Sequence, residues 1–260
     1  ELSDGWVQNV DYDINYYLAA AYRKNGQPAE AKKVYDAILG LKPEEKDAYF
    51  LRGSAELELG DYESAKADFD KAISMDPKNY DRLIEIYEAL ADYGYREVGQ
   101  EYLQNVLDTA KQLDAYDSGR IYYYLGDYQK AYLALEEAKG KGGVDSYLYL
   151  GKAYAATGDY NYASSVYSNY LSKQGPDAEI YNQLGLCELA KKDYQKALEA
   201  FQAGKQIEGN SLMQTLSFNE IVAYEYLQDY QKAAVLLKAY LQNYPDDQAA
   251  IREQQFLSTR

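Results

Sequence analysis

The sequence predicts an all-α chain built from repeated helix pairs, and three observations carry the prediction. The first is a phrase, Gly-Asp-Tyr, at Gly60–Tyr62, Gly126–Tyr128 and Gly158–Tyr160, with near-copies at Lys192–Tyr194 and Gln228–Tyr230. An Ala follows three residues after each Tyr: Ala65, Ala131, Ala163, Ala197 and Ala233. The second is spacing. Asp61, Asp127, Asp159, Asp193 and Asp229 stand 66, 32, 34 and 36 residues apart, so the first gap holds two units of about the same length as the rest. The third is periodicity. Tyr147, Leu150, Gly151 and Tyr154 recur at i, i+3, i+4 and i+7, which puts them on one helical face.

The recurrent phrase reads as punctuation between two helices. Gly158 stops one helix, since Gly takes the left-handed conformation that closes a helix end. Asp159 starts the next, its carboxylate accepting a bond from a free backbone N–H. A repeated carboxylate also raises calcium, but a calcium loop needs several oxygen ligands within about a dozen residues. Here each turn offers one Asp. Two turns depart from the pattern. Gly26-Gln27-Pro28 has Pro at a helix-start position, where it is tolerated, and Gly94-Tyr95-Arg96 has no cap of this kind.

A period near 34 residues made of two helices, with small residues at fixed places, resembles the tetratricopeptide repeat. Seven units lie in register from Tyr12, Lys46, Tyr80, Gln112, Val144, Ala178 and Gln214. The eighth residue is small in five of them: Ala19, Gly53, Gly119, Gly151 and Gly185. The twentieth is Ala31, Ala65, Gly99, Ala131, Ala163, Ala197 and Ala233, and four residues later stand Tyr35, Phe69, Leu103, Leu135, Tyr167, Phe201 and Leu237. Unit-ending prolines are Pro43, Pro77 and Pro245, with Pro176 one place late. Small residues let two helices approach, and bulky ones fill the space between neighbouring units.

The resemblance covers nearly the whole chain. It implies a right-handed α-solenoid, or superhelix, of about seven helix pairs over residues 12–245. Residues 246–260, with Ala249, Ala250, Ile251 and Phe256, are expected to form a C-terminal capping helix, as the open end of a solenoid requires. Residues 1–11 are an N-terminal extension in which Trp6 and Val7 partly cover the first unit. The third unit differs: Tyr87 holds its eighth place and Gly99 its twentieth, positions that face each other in the family. The pair reads as a large-for-small exchange that keeps volume. The stretch Gly140–Gly143 lacks the usual Pro and is expected to form a loose turn and any hinge. Two separate domains are not expected, because the repeat resumes in phase at Val144.

Composition narrows function. The 260 residues carry a net charge of −15, which argues against nucleic acid and against anionic membrane surfaces. No apolar run approaches the roughly 18 residues of a membrane span. There is no His and one Cys, Cys187, which removes imidazole catalysis, His-ligated metals and internal disulfides. No cofactor or metal site is expected, and Cys187 is read as a buried structural thiol. Low Cys usage fits a reducing bacterial cytoplasm and equally an exported bacterial protein. Because the chain starts at Glu1, a removed signal or lipoprotein segment is the expectation for the second case.

In the family the first helix of each unit lines the concave face, with the second, fifth, ninth and twelfth residues facing outward. The fifth slot holds Tyr16, Phe50, Ile84, Tyr116, Leu148 and Phe218, with Asn182 the exception. The second holds Asp13, Asp47, Asp81, Asp145 and Glu179, and Arg120 and Lys152 at the ninth form a small basic island. These residues imply a groove with an apolar row beside an acidic row, suited to a basic or apolar peptide or protein. Each side chain on its own is better explained by packing between first helices, while the row as a whole favours binding, because a solenoid's concave face is its largest continuous surface. The carboxylate clamp that some relatives use is absent, since its places are Tyr16, Ala20, Leu51, Asp81 and Glu85. The expected function is a non-catalytic protein-interaction scaffold. The alternatives are a structural or self-associating spacer and, behind it, a carboxylate-dependent enzyme.

Overall fold

The structure, a computed structural model, describes residues 8–260, with side chains from Tyr12 onward. Trp6 and Val7, expected over the first pair, lie outside the described residues. Among the described residues there are fifteen α-helices and no strand. They run as α1 (Gln8–Lys24), α2 (Pro28–Leu41), α3 (Lys46–Glu58), α4 (Tyr62–Met75), α5 (Tyr80–Asp92), α6 (Arg96–Thr109), α7 (Ala115–Tyr124), α8 (Tyr128–Ala138), α9 (Gly143–Ala156), α10 (Tyr160–Lys173), α11 (Ala178–Ala190), α12 (Tyr194–Lys205), α13 (Met213–Tyr226), α14 (Tyr230–Asn243) and α15 (Gln248–Leu257). Seven helix pairs are followed by one single helix.

The chain divides into two compact units, Glu1–Lys111 and Gln112–Arg260. Within each, every helix packs on the next in sequence. The stretch Gly140–Gly143 lies inside the second unit. The glycine stretch is tied down. The Ser146 hydroxyl accepts from the Gly140 N–H at 3.3 Å and donates to the Gly143 carbonyl at 2.9 Å. Ala131 and Leu135 of α8 and Tyr147 and Leu150 of α9 share one core across that turn.

The recurrent phrase works as a double stop–start. In all five copies the residue before the Asp has positive φ: 78° at Gly60, 80° at Gly126, 84° at Gly158, 64° at Lys192 and 62° at Gln228. Its N–H and that of the Asp turn back onto the last turn of the preceding helix. Gly60 bonds Leu57 at 3.0 Å and Asp61 bonds Glu56 at 2.9 Å, and the other four copies repeat the pattern. This is the Schellman arrangement, which satisfies two carbonyls that the helix end would leave free. The Asp carboxylate then caps the following helix. Asp61, Asp127, Asp159, Asp193 and Asp229 accept from the N–H of Ser64, Lys130, Tyr162, Lys196 and Lys232. Gln27 and Tyr95, which replace the Asp in two turns, make no side-chain cap.

In four pairs the spacing is set by the bulky residue of the second helix lying on the small residue of the first. A Cβ added to Gly53 would stand 2.8 Å from Phe69, at Gly119 2.5 Å from Leu135, at Gly151 2.2 Å from Tyr167 and at Gly185 2.3 Å from Phe201. The bulky residues therefore fill the space inside their own pair, where the sequence reading had put them between neighbours. In the third pair the sizes are reversed as expected. A Cβ on Gly99 would meet the Tyr87 ring at 2.9 Å and its Cα at 3.1 Å.

At the C-terminus α15 closes the second unit. Asp247 caps it by accepting from Ala249 and Ala250 at 2.9 and 3.1 Å, and also accepts from the Tyr240 hydroxyl at 2.5 Å. Ala250 and Leu257 are buried against Ile221, Leu237 and Tyr240. Phe256, expected to do this, points outward, because it lies off the stripe on which Ala250 and Leu257 recur at i and i+7.

Two stability measurements follow. Gly99→Ala gains about 1 kcal/mol of helix propensity but forces a methyl against the Tyr87 backbone, which cannot swing aside. A net loss of roughly 1–2 kcal/mol by chemical denaturation is expected from overpacking, and a more stable variant would show that the contact is slack. Gln228→Gly works the other way. Gln228 sits at a φ of 62°, where a non-Gly residue costs roughly 1 kcal/mol or more, so a modest rise in unfolding free energy is expected. The same change at Gln27, outside the left-handed region, gives no such gain.

Candidate partner-binding surface

The residues expected to form a row lie on the first helices of each unit. In the unit of α1–α6, Tyr16 and Phe50 are half-buried, with their rings 6.3 Å from Tyr35 and 6.1 Å from Phe69. The Tyr16 hydroxyl is buried without a hydrogen-bond partner. Burial, then the carboxylates of Glu45 and Asp47, push its pKa up. The Arg82 guanidinium lies 4.0 Å over the Phe50 ring and pairs with Asp47 at 2.7 Å and Glu85 at 2.9 Å. Asp47 is therefore half of an ion pair, not a bare rim charge, while Asp81 is exposed. Ile84 is 5% exposed and leaves the row. The helix that carries it also buries Leu83, Ile86, Tyr87 and Leu90, so α5 is covered on more than one side.

In the unit of α7–α15, Tyr116, Leu148 and Phe218 are half-buried and share the row. Asn182 between them is buried and accepts from the Asn219 amide at 2.9 Å. The expected basic island does not form. Arg120 is 7% exposed, lies 4.3 Å over the Tyr116 ring and donates to Asp117 at 2.6 Å. Lys152 stays partly exposed but faces Glu179 at 3.7 Å. The reason is local in both cases: a carboxylate three residues back on the same helix, or one on the next first helix, neutralises the cation at short range. Cys187 is buried, and burial pushes its thiol up to about 12. A thiol held protonated is a poor nucleophile.

Two features were not visible in the sequence. One is an open pocket of about 230 Å³ among α12, α13 and α14, lined by Met213, Ser217, Ile221, Leu236, Tyr240 and Tyr244. At its edge Glu220 accepts from Lys205 at 2.5 Å and from Gln202 at 2.9 Å. It lies off the predicted row, and no period marks it, because it is built from three helices. The other is a set of carboxyls with altered acidity. Burial, then repulsion from Asp68, pushes Glu56 up to about 7; burial, then Glu253, does the same for Glu225. Among the described residues no group of three or more His, Cys, Asp or Glu is placed to hold a metal ion, and no helix is long and apolar enough to cross a membrane.

Glu225 gives a pH prediction. A carboxyl whose pKa is higher in the fold than in the unfolded chain binds its proton more tightly when folded. Its contribution is full below the unfolded value and is lost as pH rises toward about 7. The native chain is thus expected to lose stability between about pH 5 and 8 relative to Glu225→Gln, which cannot ionise. Thermal melts of both at the two pH values check this. A difference between them that does not change with pH would assign Glu225 an ordinary acidity.

Comparison with known proteins agrees with the packing. The tetratricopeptide-repeat family model matches residues 16–80 and 148–211, and a second model of the same repeat matches residues 218–247. An FK506-binding protein-like protein of Mus musculus is 42% identical over 62 residues, 24% of this chain. The human protein of the same description is 40% identical over 62 residues. The match spans 18% of the length of each mammalian protein. Among solved structures, a tetratricopeptide repeat protein from Parabacteroides merdae superposes with a TM-score of 0.56 at 15% identity, covering 85% of this chain and 86% of that one. The type IV pilus biogenesis factor PilW superposes with a TM-score of 0.52 at 16% identity, covering 94% and 97%. At these identities the structural likeness is one of fold. With its pair spacing, its stop–start turns and these matches together, the chain belongs to the tetratricopeptide-repeat family.

Proposed function

We propose that the protein is a non-catalytic scaffold that binds a peptide segment of another protein along its first-helix row. Tetratricopeptide repeats are in general protein-interaction scaffolds, and that much applies to this chain as a member. The finer reading rests on one observation. Tyr116, Leu148 and Phe218 occupy the same slot of three of the four first helices of their unit, with the buried Asn182 in the fourth, and keep part of their apolar surface in water. Large side chains held half-exposed by rigid helices are suited to anchor a partner, since aromatic anchors supply most of the energy of an interface. Tyr16 and Phe50 offer the same surface in the other unit. The net charge of −15 favours encounter with basic segments. Paired charges such as Asp47–Arg82 and Lys152–Glu179 set register more than affinity.

The test uses a partner obtained by affinity capture and a peptide spanning its contact region. Tyr116→Ala with Leu148→Ala is expected to weaken binding by about tenfold or more at low and high salt, as truncating two anchors does. Asp81→Asn with Asp145→Asn is expected to slow association at low salt only, because exposed charges are screened over about 8–10 Å at physiological ionic strength. Unchanged affinity in the apolar double variant moves the site off this row. Turnover of a substrate that survives purification and vanishes with one carboxylate substitution would make the protein an enzyme instead.

A further inference from the structure

Among the described residues nothing covers the face of α1 that α3, α9, α11 and α13 bury. In α3 the stacking residues Ala48 and Ala55 are fully buried. Their counterparts Ser146 and Ala153 in α9, Ile180 and Cys187 in α11, and Leu216 and Ala223 in α13 are buried too. Each is covered by the second helix of the preceding pair, as in the packing of α2 on α3 or α12 on α13. The same register positions of α1 are Ile14 and Ala21, with Tyr17 and Leu18 beside them. Ile14 is 56% exposed, Tyr17 77% and Leu18 42%, and Ala21 is exposed as well. At the other end of the chain α15 closes the stack; α1 has the composition of an interior helix. Three large apolar side chains on one stripe form a contiguous patch, the kind of surface that marks an interaction site.

The flank of that stripe says what fits. Asp13 and Lys24 are both exposed and stand eleven residues apart, about three turns, so they line up along one side of the patch. Arg23 is already engaged by Glu58 at 2.5 Å; Lys24 points to the exposed side. A helix with an acid at its start and a base at its end, on the same edge of an apolar stripe, is complementary to itself when turned end for end. An interface of two-fold symmetry brings like positions of the two copies to the same edge. Asp13 of each copy then meets Lys24 of the other. Ile14 lies against Ala21, large on small, and the axis passes between Tyr17 and Leu18.

We propose that the protein pairs with a second copy of itself through α1, the two helices antiparallel and related by a two-fold axis near Tyr17 and Leu18. The contact repeats between chains the antiparallel stacking that α2 and α3 make within one. It goes beyond the proposed peptide-binding row, which uses other faces, and each can fail without the other. One helix from each copy buries an area at the small end of specific interfaces, below about 1,200 Å². The self-association is therefore weak, and the charge of −15 on each copy opposes it further at low ionic strength.

Sedimentation equilibrium of the full chain in about 0.15 M salt, from about 1 to 300 µM, tests the pairing. A reversible monomer–dimer equilibrium is expected, with a dissociation constant in the tens of micromolar range. Leu18→Glu, on an exposed position that leaves helix content and melting unchanged, is expected to weaken it at least tenfold. Asp13→Lys and Lys24→Asp are each expected to weaken it several-fold, and the double swap to restore it. A chain that stays monomeric throughout overturns the proposal, whether or not a helix of another protein covers the patch. A dimer indifferent to Leu18→Glu overturns it too, by placing the contact elsewhere. So does a double swap that fails to restore association, by refuting the antiparallel register.

Discussion

A bulky side chain on a small one, four times with Gly beneath it, is the contact on which the rest of this structure depends. Phe69 on Gly53, Leu135 on Gly119, Tyr167 on Gly151 and Phe201 on Gly185 leave no room for a methyl group. That closeness fixes how far apart the two helices of a pair stand, and so which of their remaining residues reach the next pair. Gly weakens a helix interior by about 1 kcal/mol against Ala. The four helices tolerate this because each bulky partner is fully buried in return, a gain of roughly 1.5–3 kcal/mol for a side chain of that size. The third pair reaches the same spacing with the sizes exchanged, Tyr87 on Gly99. The constraint is on summed volume, not on which helix supplies it.

The turns follow from the same economy of space. A pair can close only if the chain reverses within three residues, and the left-handed residue before the Asp does so. Where that residue is Lys192 or Gln228 the backbone still adopts positive φ, so the surrounding packing dictates the turn and the Gly merely eases it. Charges take over where apolar contact thins. Arg52 of α3 grips Asp68 of α4 through two bonds of 2.6 and 2.7 Å and reaches Asp36 of α2 at 2.7 Å. One guanidinium thereby fastens three helices. Nearby Glu56, buried and then repelled by Asp68 although Lys32 stands 3.5 Å away, has its pKa pushed up to about 7.

The parts legible in the sequence were those set by one residue at a fixed interval. A Gly-Asp turn, a small residue under a large one and the Tyr87–Gly99 exchange each leave a mark at a constant spacing. The candidate row was legible only in part. Tyr16, Phe50, Tyr116, Leu148 and Phe218 occupy half-exposed places on it, but Ile84 and Arg120 are buried. Slot number gives the direction in which a residue leaves its helix. It does not give the depth of the neighbouring helix or the carboxylate within reach, which drew Arg120 onto Asp117 and Lys152 toward Glu179. The division at Lys111 and Gln112 was hidden for a related reason. A repeat can keep its phase across a boundary between compact units, and phase was all that the sequence offered.

The abundance of Tyr, 32 against 5 Phe, is the chemical signature of so thin a fold. In a layer of paired helices no buried ring is far from water, so a side chain with an apolar body and a polar tip can be buried without stranding the tip. Tyr167 is fully buried, yet its hydroxyl reaches the Leu148 carbonyl at 3.4 Å. Nearer the surface the rings stack on one another across neighbouring pairs: Tyr62 on Tyr95 at 4.1 Å, Tyr132 on Tyr154 at 4.6 Å, and Tyr194 on Tyr226 at 4.9 Å. The Tyr of the recurrent turn thus does more than follow a cap. Tyr62 and Tyr194 stand at the first residue of their helices; Tyr62 reaches Tyr95 in the turn of the following pair, and Tyr194 reaches Tyr226 at the end of the following pair's first helix. The residue that begins one helix therefore also ties its pair to the next. In these two copies of the phrase, a turn, a cap and a link to the next pair are three separate requirements met in three consecutive positions.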